Sequence, residues 1–238
     1  MNPKISIITV VYNGAKFLEQ AIQSVLGQTY TNIEYIIIDG GSKDSTLDII
    51  RKYDDRIFKW VSEPDRGIYD AMNKGITFAT GELIGILNAD DWYEPDAVTK
   101  VVNVCEKYSD GEVFHGLLKR RDIEGNLKYI IGQSSDLLPK TMIEHPTCFV
   151  KKTTYQRYGL FDTSMRIAGD YELMLRLKKH QVKFVFIEEV LANFRDGGVS
   201  NSFKQVKETL TLKYNYGFIS GFKKNLLLLY FGLKRLLP

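Results

Sequence analysis

Four short apolar runs, Ile5–Val11, Ile33–Ile38, Ile57–Val61 and Leu83–Leu87, constrain this chain most. Ile5–Val11 lacks the polar alternation of a half-exposed strand and reads as buried on both faces, Leu83–Leu87 reads as a buried strand, and the other two read as strands. Each is followed by apolar residues at helical spacing. These are Phe17, Leu18, Ala21, Ile22, Val25 and Leu26 after the first run and Leu47, Ile49 and Ile50 after the second. Ile68, Met72, Ile76 and Ala79 follow the third, and about Asp96 to Tyr108 the fourth. Ser45 or Asp44 can cap the second helix. The alternation predicts an α/β fold: a mainly parallel sheet with helices on both faces. With 238 residues, 44% of them hydrophobic and 12% aromatic, the chain can bury one large core.

Three of the runs end in polar residues: Tyr12-Asn13, Asp39, and Asn88-Ala89-Asp90-Asp91. In a parallel sheet these ends share one edge, and open α/β sheets bind ligands at their carboxyl edge. Adjacent carboxylates repel unless a cation or a donor sits between them. The Asn88–Asp91 stretch therefore points to a divalent-metal site that holds something anionic. Glycine-rich nucleotide fingerprints are missing: no GxGxxG follows the first run, and there is no GxxxxGK[ST].

The formal net charge of +3 does not suggest a nucleic-acid partner. Cys105 and Cys148 lack metal-like spacing and read as reduced core thiols. Met1-Asn-Pro-Lys4 runs straight into the first strand without a charged segment and cleavage site, so no cleaved leader is expected. After Tyr108 the strand–helix alternation stops. Glu112–Arg121 and Leu127–Ile131, joined through Glu124-Gly125-Asn126, read as a β-hairpin, and His145–Val150 reads as a strand. Asp170 opens a periodic helix with Leu173, Leu175 and Leu177, and Phe184–Ile187 and Val190–Phe194 read as two short strands. In the tail, Phe222–Leu237 has an apolar centre with cations at both flanks and is too short to span a bilayer. It fits either the membrane interface or a helix docked on protein.

Taken together, Ile7–Asn13, Ser24–Tyr30, Ile36–Thr46, Ala79–Glu82, Leu87–Asp91 and Gly169–Leu173 resemble glycosyltransferase family 2, the inverting group with the GT-A fold. Glu63–Gly75 resembles a subgroup that builds bacterial surface polysaccharides. The resemblance covers about residues 4 to 200. It implies a nucleotide-sugar donor, UDP-linked, and a saccharide acceptor on a lipid carrier. It places Asp90 as ligand of Mn²⁺ or Mg²⁺ at the family's DXD position, and Asp170 as the base that deprotonates the acceptor. The implied donor-binding set is Thr9, Tyr12, Asn13, Asp39, Asp65, Arg66, Asn73, Asn88, Ala89, Asp90 and Arg195. Asn88 stands for the motif's usual first acid, Gly40 for a second acid common after Asp39, and Val10 for a frequent proline. With Gly40 in place, base reading is expected to rest on Asp39.

Plainer readings stand beside these. Asp90, Asp91 and Asp170 could cap helices, Asp39 could be a turn acid, and Arg195 a solvated or ion-paired arginine. His145, Trp92 and Tyr93 could be core side chains. The expected division is a donor half (1–110), an acceptor half (111–200) and a helical tail (201–238) in peripheral contact with the inner face of the plasma membrane through residues 222–237. The expected activity is metal-dependent, inverting sugar transfer. The alternatives are a sugar-1-phosphate nucleotidyltransferase, which usually needs a glycine-rich basic loop that Tyr12-Asn13-Gly14 does not supply, and a non-catalytic scaffold.

Overall fold

The computed structural model describes residues 2–197 and 203–234. The first half alternates as the sequence predicts: β1 (Ile5–Val11), α1 (Leu18–Leu26), β2 (Ile33–Asp39), α2 (Thr46–Arg51), β3 (Lys59–Ser62), α3 (Ile68–Phe78), β4 (Leu83–Asn88). Next come a two-residue strand β5 (Trp92–Tyr93) and α4 (Ala97–Lys107). The second half holds the hairpin β6 (Val113–Arg121) and β7 (Leu127–Ile131), then β8 (Phe149–Lys151), α5 (Lys152–Tyr158), α6 (Gly169–Lys179) and β9 (Phe184–Arg195). Helices α7 (Phe203–Asn215) and α8 (Gly221–Lys234) follow.

The nine described strands join one sheet in the order β3-β2-β1-β4-β8-β6-β9-β5, with β7 beside β6. The strands β3, β2, β1 and β4 are parallel. Beyond β4 the sheet is mixed, since β8 runs antiparallel to both β4 and β6 while β6 and β9 are parallel. Odd residues of β1 (Ile5, Ile7, Val11) pack with α1, α2 and α4, while Ile8 and Val10 pack with α3 and α6. Strands β1, β2 and β4 are buried on both sides because helices cover both sides, whereas β3 at the edge is only partly buried. Helix α3 lies so close that a Cβ at Gly75 would strike Ile8.

Three local expectations need correction. The two short strands after Phe184 are one strand: Gly116 pairs with Ile187 and Leu117 with Val190, so Glu188 and Glu189 bulge out and the ladder resumes. Residues His145–Thr147 form a 3-10 turn, with Pro146 in its first turn, and only Phe149–Lys151 is strand. Asp90 and Asp91 do not cap α4, because β5 intervenes and Asp96 precedes the helix. Asp44 caps α2, accepting from the Thr46 N–H at 3.0 Å, whereas the Ser45 side chain makes no cap bond.

The tail is of two kinds. Helix α7 buries Leu210 and Leu212, the second of them in the core beside α3 and α6. Helix α8 exposes Phe222 (80%), Leu226 (55%), Leu229 (61%) and Tyr230 (55%), one face at helical spacing. Residues 235–237 of the expected membrane-contact segment lie outside the described residues. Among the described residues no helix is long and apolar enough to cross a membrane.

His115 on β6 is buried against the rings of Phe184 and Phe186, and neither ring nitrogen has a hydrogen-bond partner. Burial, aided by the Lys178 charge, lowers its pKa to about 4. The folded state therefore binds this proton less readily than the unfolded state, whose histidine titrates near 6.5. Stability from this site is full above that value and falls as pH drops towards 4. Between about pH 7.5 and 5 the loss is expected to be about 2 kcal/mol. The unfolding free energy of His115→Phe, from urea titrations at the two pH values, should show a loss smaller by that amount.

Candidate active site

The carboxyl ends of β1 and β4 and the loop between β3 and α3 face a cleft of about 750 Å³. The chain leaves β1 at Tyr12 and turns at Asn13, whose φ of 50° lies in the left-handed region that asparagine tolerates. The turn is stitched to the loop after β2. The Asn13 N–H donates to Ser42 Oγ at 2.7 Å, Gly14 N–H to Thr46 Oγ1 at 3.0 Å, and Lys43 N–H to Asn13 Oδ1 at 2.8 Å. These bonds leave the Tyr12 ring on the cleft wall, 64% exposed.

The end of β4 carries the carboxylates, and the two are not equivalent. Asp91 is buried and accepts the Arg195 N–H at 3.1 Å and the Asn88 amide at 3.2 Å. Burial and the neighbouring Asp90 charge push its carboxyl well above the usual range. Asp90 lines the cleft, where burial raises its pKa against the pull of Arg195. Asn88 also lines the cleft, and its Oδ1 is buried without a donor. One carboxylate beside an orphaned amide oxygen is an oxygen-only donor set suited to a hard divalent cation. Among the described residues no group of three or more His, Cys, Asp or Glu could hold a metal. A cation here would therefore complete its shell from a ligand or from water.

The far wall comes from the second half. Asp170 is the second residue of α6. Its Oδ1 accepts the Tyr171 N–H at 2.8 Å and lies 3.3 Å from the Tyr69 hydroxyl, which donates to the Ile167 carbonyl at 2.6 Å. Among the described residues Oδ2 accepts no hydrogen bond, and Asp170 lines the cleft. The preceding loop is held by α7: the Glu208 carboxylate accepts the N–H groups of Ile167 at 2.8 Å and Ala168 at 2.9 Å. Glu144 and His145 share this wall. Burial raises the Glu144 pKa and lowers that of His145, which keeps both towards their neutral forms.

Of the residues expected from sequence, Tyr12, Asn13, Asp65, Asn88, Ala89, Asp90 and Asp170 line this cleft. Five others do not. Thr9 is buried on the α1 side of the sheet, where its Oγ1 takes the Tyr35 hydroxyl at 2.9 Å. Asp39 is buried within its own turn. Arg66 is exposed and pairs with Asp70 at 3.0 Å. Asn73 clips the Phe161 backbone through both amide atoms, at 2.9 and 3.0 Å. Arg195 is buried and makes no ion pair among the described residues. Its guanidinium sits 4.3 Å from the Phe17 ring centroid and 4.8 Å from that of Trp92, and donates to Ile123 O and Gln20 Oε1. Trp92 thus supports an arginine, and Tyr93 is core. Arg120, Glu144 and Arg166 also line the cleft. Sequence alone does not single them out, because each sits in a segment without motif.

The sequence profile described as Glycosyl transferase family 2 matches residues 6–161. A Rickettsia typhi protein named as an uncharacterized glycosyltransferase is 32% identical over 206 residues, which is 82% of this chain and 64% of that protein. The chain thus spans just under two thirds of that relative's length. A Mycobacterium bovis PGL/p-HBAD biosynthesis glycosyltransferase is 29% identical over 209 residues, 84% of this chain and 80% of that one. Among solved structures, S. aureus TarS 1–349 in complex with UDP-GlcNAc superposes with a TM-score of 0.71 at 15% identity, covering 94% of this chain and 70% of that one. The mannosyltransferase PcManGT from Pyrobaculum calidifontis in complex with GDP-Man and Mn²⁺ gives 0.70 at 16% identity, over 89% and 63%. At these identities the two structures establish a common fold.

The two adjacent acids should separate in stability measurements. Asp91→Ala strands the Arg195 N–H and the Asn88 amide and is expected to cost about 1–3 kcal/mol. Asp90→Ala removes a half-buried charge that burial disfavours and that no hydrogen bond from another described residue holds, and should leave stability unchanged or raise it. Chemical denaturation of both variants checks the contrast.

Proposed function

This chain belongs to glycosyltransferase family 2 and has its GT-A fold, and from that premise we propose that it transfers a sugar, with inversion, from a UDP-linked donor to a saccharide acceptor in bacterial surface-polysaccharide assembly. The observation that carries the reading is that Asp90 and Asp170, from the two halves of the chain, line one cleft at the carboxyl edge of the sheet. In this reading residues 1–110 form the donor side, 111–200 the acceptor side and 201–238 a helical tail.

Asp90, with the Oδ1 of Asn88, would hold Mn²⁺ or Mg²⁺. When bound, the ion supplies positive charge to the donor's diphosphate as it departs. The likeness to a structure containing Mn²⁺ supports a divalent ion without choosing between the two. Tyr12 and Asn13 lie on the donor wall, and Asp91 holds the Asn88 amide nitrogen so that its oxygen stays unpaired. The free Oδ2 of Asp170 takes the proton of the acceptor hydroxyl as that oxygen attacks the anomeric carbon from the side opposite the diphosphate. The carbon–oxygen bond to the donor phosphate breaks with its electron pair going to the diphosphate. One displacement inverts the centre and needs no protein nucleophile. Tyr69 and Glu208 act through position: the first contacts Asp170 and the second anchors the loop before it.

A lipid-carried acceptor suits the exposed apolar face of α8, with Lys223 and Lys224 at its start. In this reading the tail rests on the inner leaflet of the plasma membrane, where a water-soluble donor and a lipid-bound acceptor meet.

A UDP-sugar with Mn²⁺ should raise the melting temperature by mass action, and the rise should vanish in Asp90→Ala. Asp170→Asn should keep the rise yet lower transfer or donor hydrolysis by about 10²–10⁴-fold. No metal-dependent shift with any nucleotide-sugar would sink the reading. In a second experiment, the protein should sediment with vesicles containing anionic lipid, and Phe222→Ser/Leu226→Ser/Leu229→Ser should stay in the supernatant. Equal sedimentation of the two would remove the membrane contact.

A further inference from the structure

We propose that Asp65, not Asp39, reads the base of the donor nucleotide, and that it selects bases whose Watson–Crick ring nitrogen carries a hydrogen. The inference rests on the donor reading above and narrows it.

Asp39 is the expected reader by sequence, but its carboxylate is already occupied. Oδ2 accepts the Gly41 N–H at 3.1 Å, the Ser42 N–H at 3.0 Å and the Ser62 hydroxyl at 2.6 Å. Oδ1 accepts the Ser42 hydroxyl. A carboxylate has about four lone-pair positions, so four donors leave it little to offer a ligand. Asp39 is also fully buried and absent from the cleft lining. Its role here is to hold the turn after β2 and to tie that turn to the end of β3 through Ser62.

The space above Gly40 is filled from another loop. A Cβ at position 40 would strike Oδ2 of Asp65, and the Tyr12 ring lies 3.4 Å from the same point. The β3–α3 loop delivers this carboxylate. Gly67, with φ of 124°, turns the chain, and its N–H holds Asp65 Oδ1 at 2.8 Å. The loop is pinned to β2 by the Glu63 N–H, which donates to the Asp39 carbonyl at 3.0 Å. Among the described residues Oδ2 of Asp65 accepts no hydrogen bond, and Asp65 lines the cleft beside Tyr12. The glycine at 40 and the acid at 65 thus work as a pair: an acid absent from one loop is supplied by the next.

The pair makes a small subsite. The exposed Tyr12 ring offers a face on which a base can stack. One carboxylate oxygen, fixed through its partner oxygen, offers a single acceptor at the edge of that face. An ionised carboxylate accepts and never donates. The ring nitrogen on the pairing edge of uracil (N3) or guanine (N1) bears a hydrogen and satisfies it. The matching nitrogens of cytosine (N3) and adenine (N1) bear lone pairs and are repelled. The subsite therefore favours uridine or guanosine diphosphates over those of cytidine and adenosine. Asparagine at position 65 keeps the shape and the bond from Gly67 but can present N–H in place of the acceptor, which reverses the preference.

Calorimetric titration with UDP, GDP, CDP and ADP in the presence of Mn²⁺ tests this. The unaltered protein should bind UDP or GDP at least about tenfold more tightly than CDP and ADP. Asp65→Asn, at an unchanged melting temperature, should lose that ratio and gain for CDP or ADP. Gly40→Ala, which displaces the carboxylate, should lose the ratio without the gain. Asp39→Asn should lower the melting temperature and weaken all four nucleotides together. An unchanged ratio in folded Asp65→Asn, or a ratio lost in Asp39→Asn alone, overturns the inference while the donor reading stands. Failure of the unaltered protein to bind any of the four overturns the donor reading and the inference with it.

Discussion

The bond from the Arg195 N–H to the Asp91 carboxylate is the contact on which the site depends. It joins the loop after β4 to the end of β9, which are 104 residues apart in the chain. The same carboxylate holds the Asn88 amide nitrogen and so fixes the side chain whose Oδ1 is left without a donor. The arginine that donates the N–H sets its guanidinium against both Phe17 and Trp92, joining the start of α1 to β5. A buried carboxylate that accepts from two sides couples the carboxyl end of β4 to the second half of the fold. Without it, one buried backbone donor and one amide would lose their partners.

Electrostatics favour a cleft that takes a cation and an anion together. Asp65, Asp90, Glu144 and Asp170 line it, against Arg120 and Arg166. Arg120 is paired with Asp196, and Arg166 donates to the Arg66 carbonyl. Burial raises the carboxyls of Asp90 and Glu144 above their ordinary values, so uncompensated negative charge is costly there. A divalent ion, as proposed, would relieve that cost and in turn offer positive charge to a diphosphate. The metal dependence proposed for donor binding follows from this balance.

Much of the fold is legible in the sequence, and what is not legible shares a cause. Apolar runs without alternation reveal the central strands, because burial on both faces leaves no polar position. The Asn88–Asp91 and Gly169–Leu173 segments mark both walls of the cleft, because polar residues that interrupt an apolar pattern show where burial ends. The bulge at Glu188-Glu189 reads as a chain break, since two exposed acids interrupt the alternation although the ladder continues around them. Thr9, Asn73 and Arg195 lie near strand ends or in a motif, and that position alone suggests the donor. For Thr9 and Arg195 the side-chain direction instead follows from which face of the strand each occupies, and Asn73 on α3 is turned to the Phe161 backbone. Nothing in the local sequence of Glu208 says that it anchors the loop before Asp170, a contact made across 40 residues.

The sequence by itself determined the α/β architecture, the carboxyl edge of its sheet and the two acids, Asp90 and Asp170, that line the cleft there. Those follow from periodicity and from the cost of burying polar groups, which act locally along the chain. Only the tertiary structure decided which carboxylates are free. Asp91 is taken by Asn88 and by Arg195 from the second half, and Asp39 by its own turn and by Ser62 from β3, while Asp90, Asp170 and one oxygen of Asp65 are left to the cleft. A carboxylate is available to a ligand when its lone pairs are not already taken, and whether near and distant donors reach them is settled only when the chain folds.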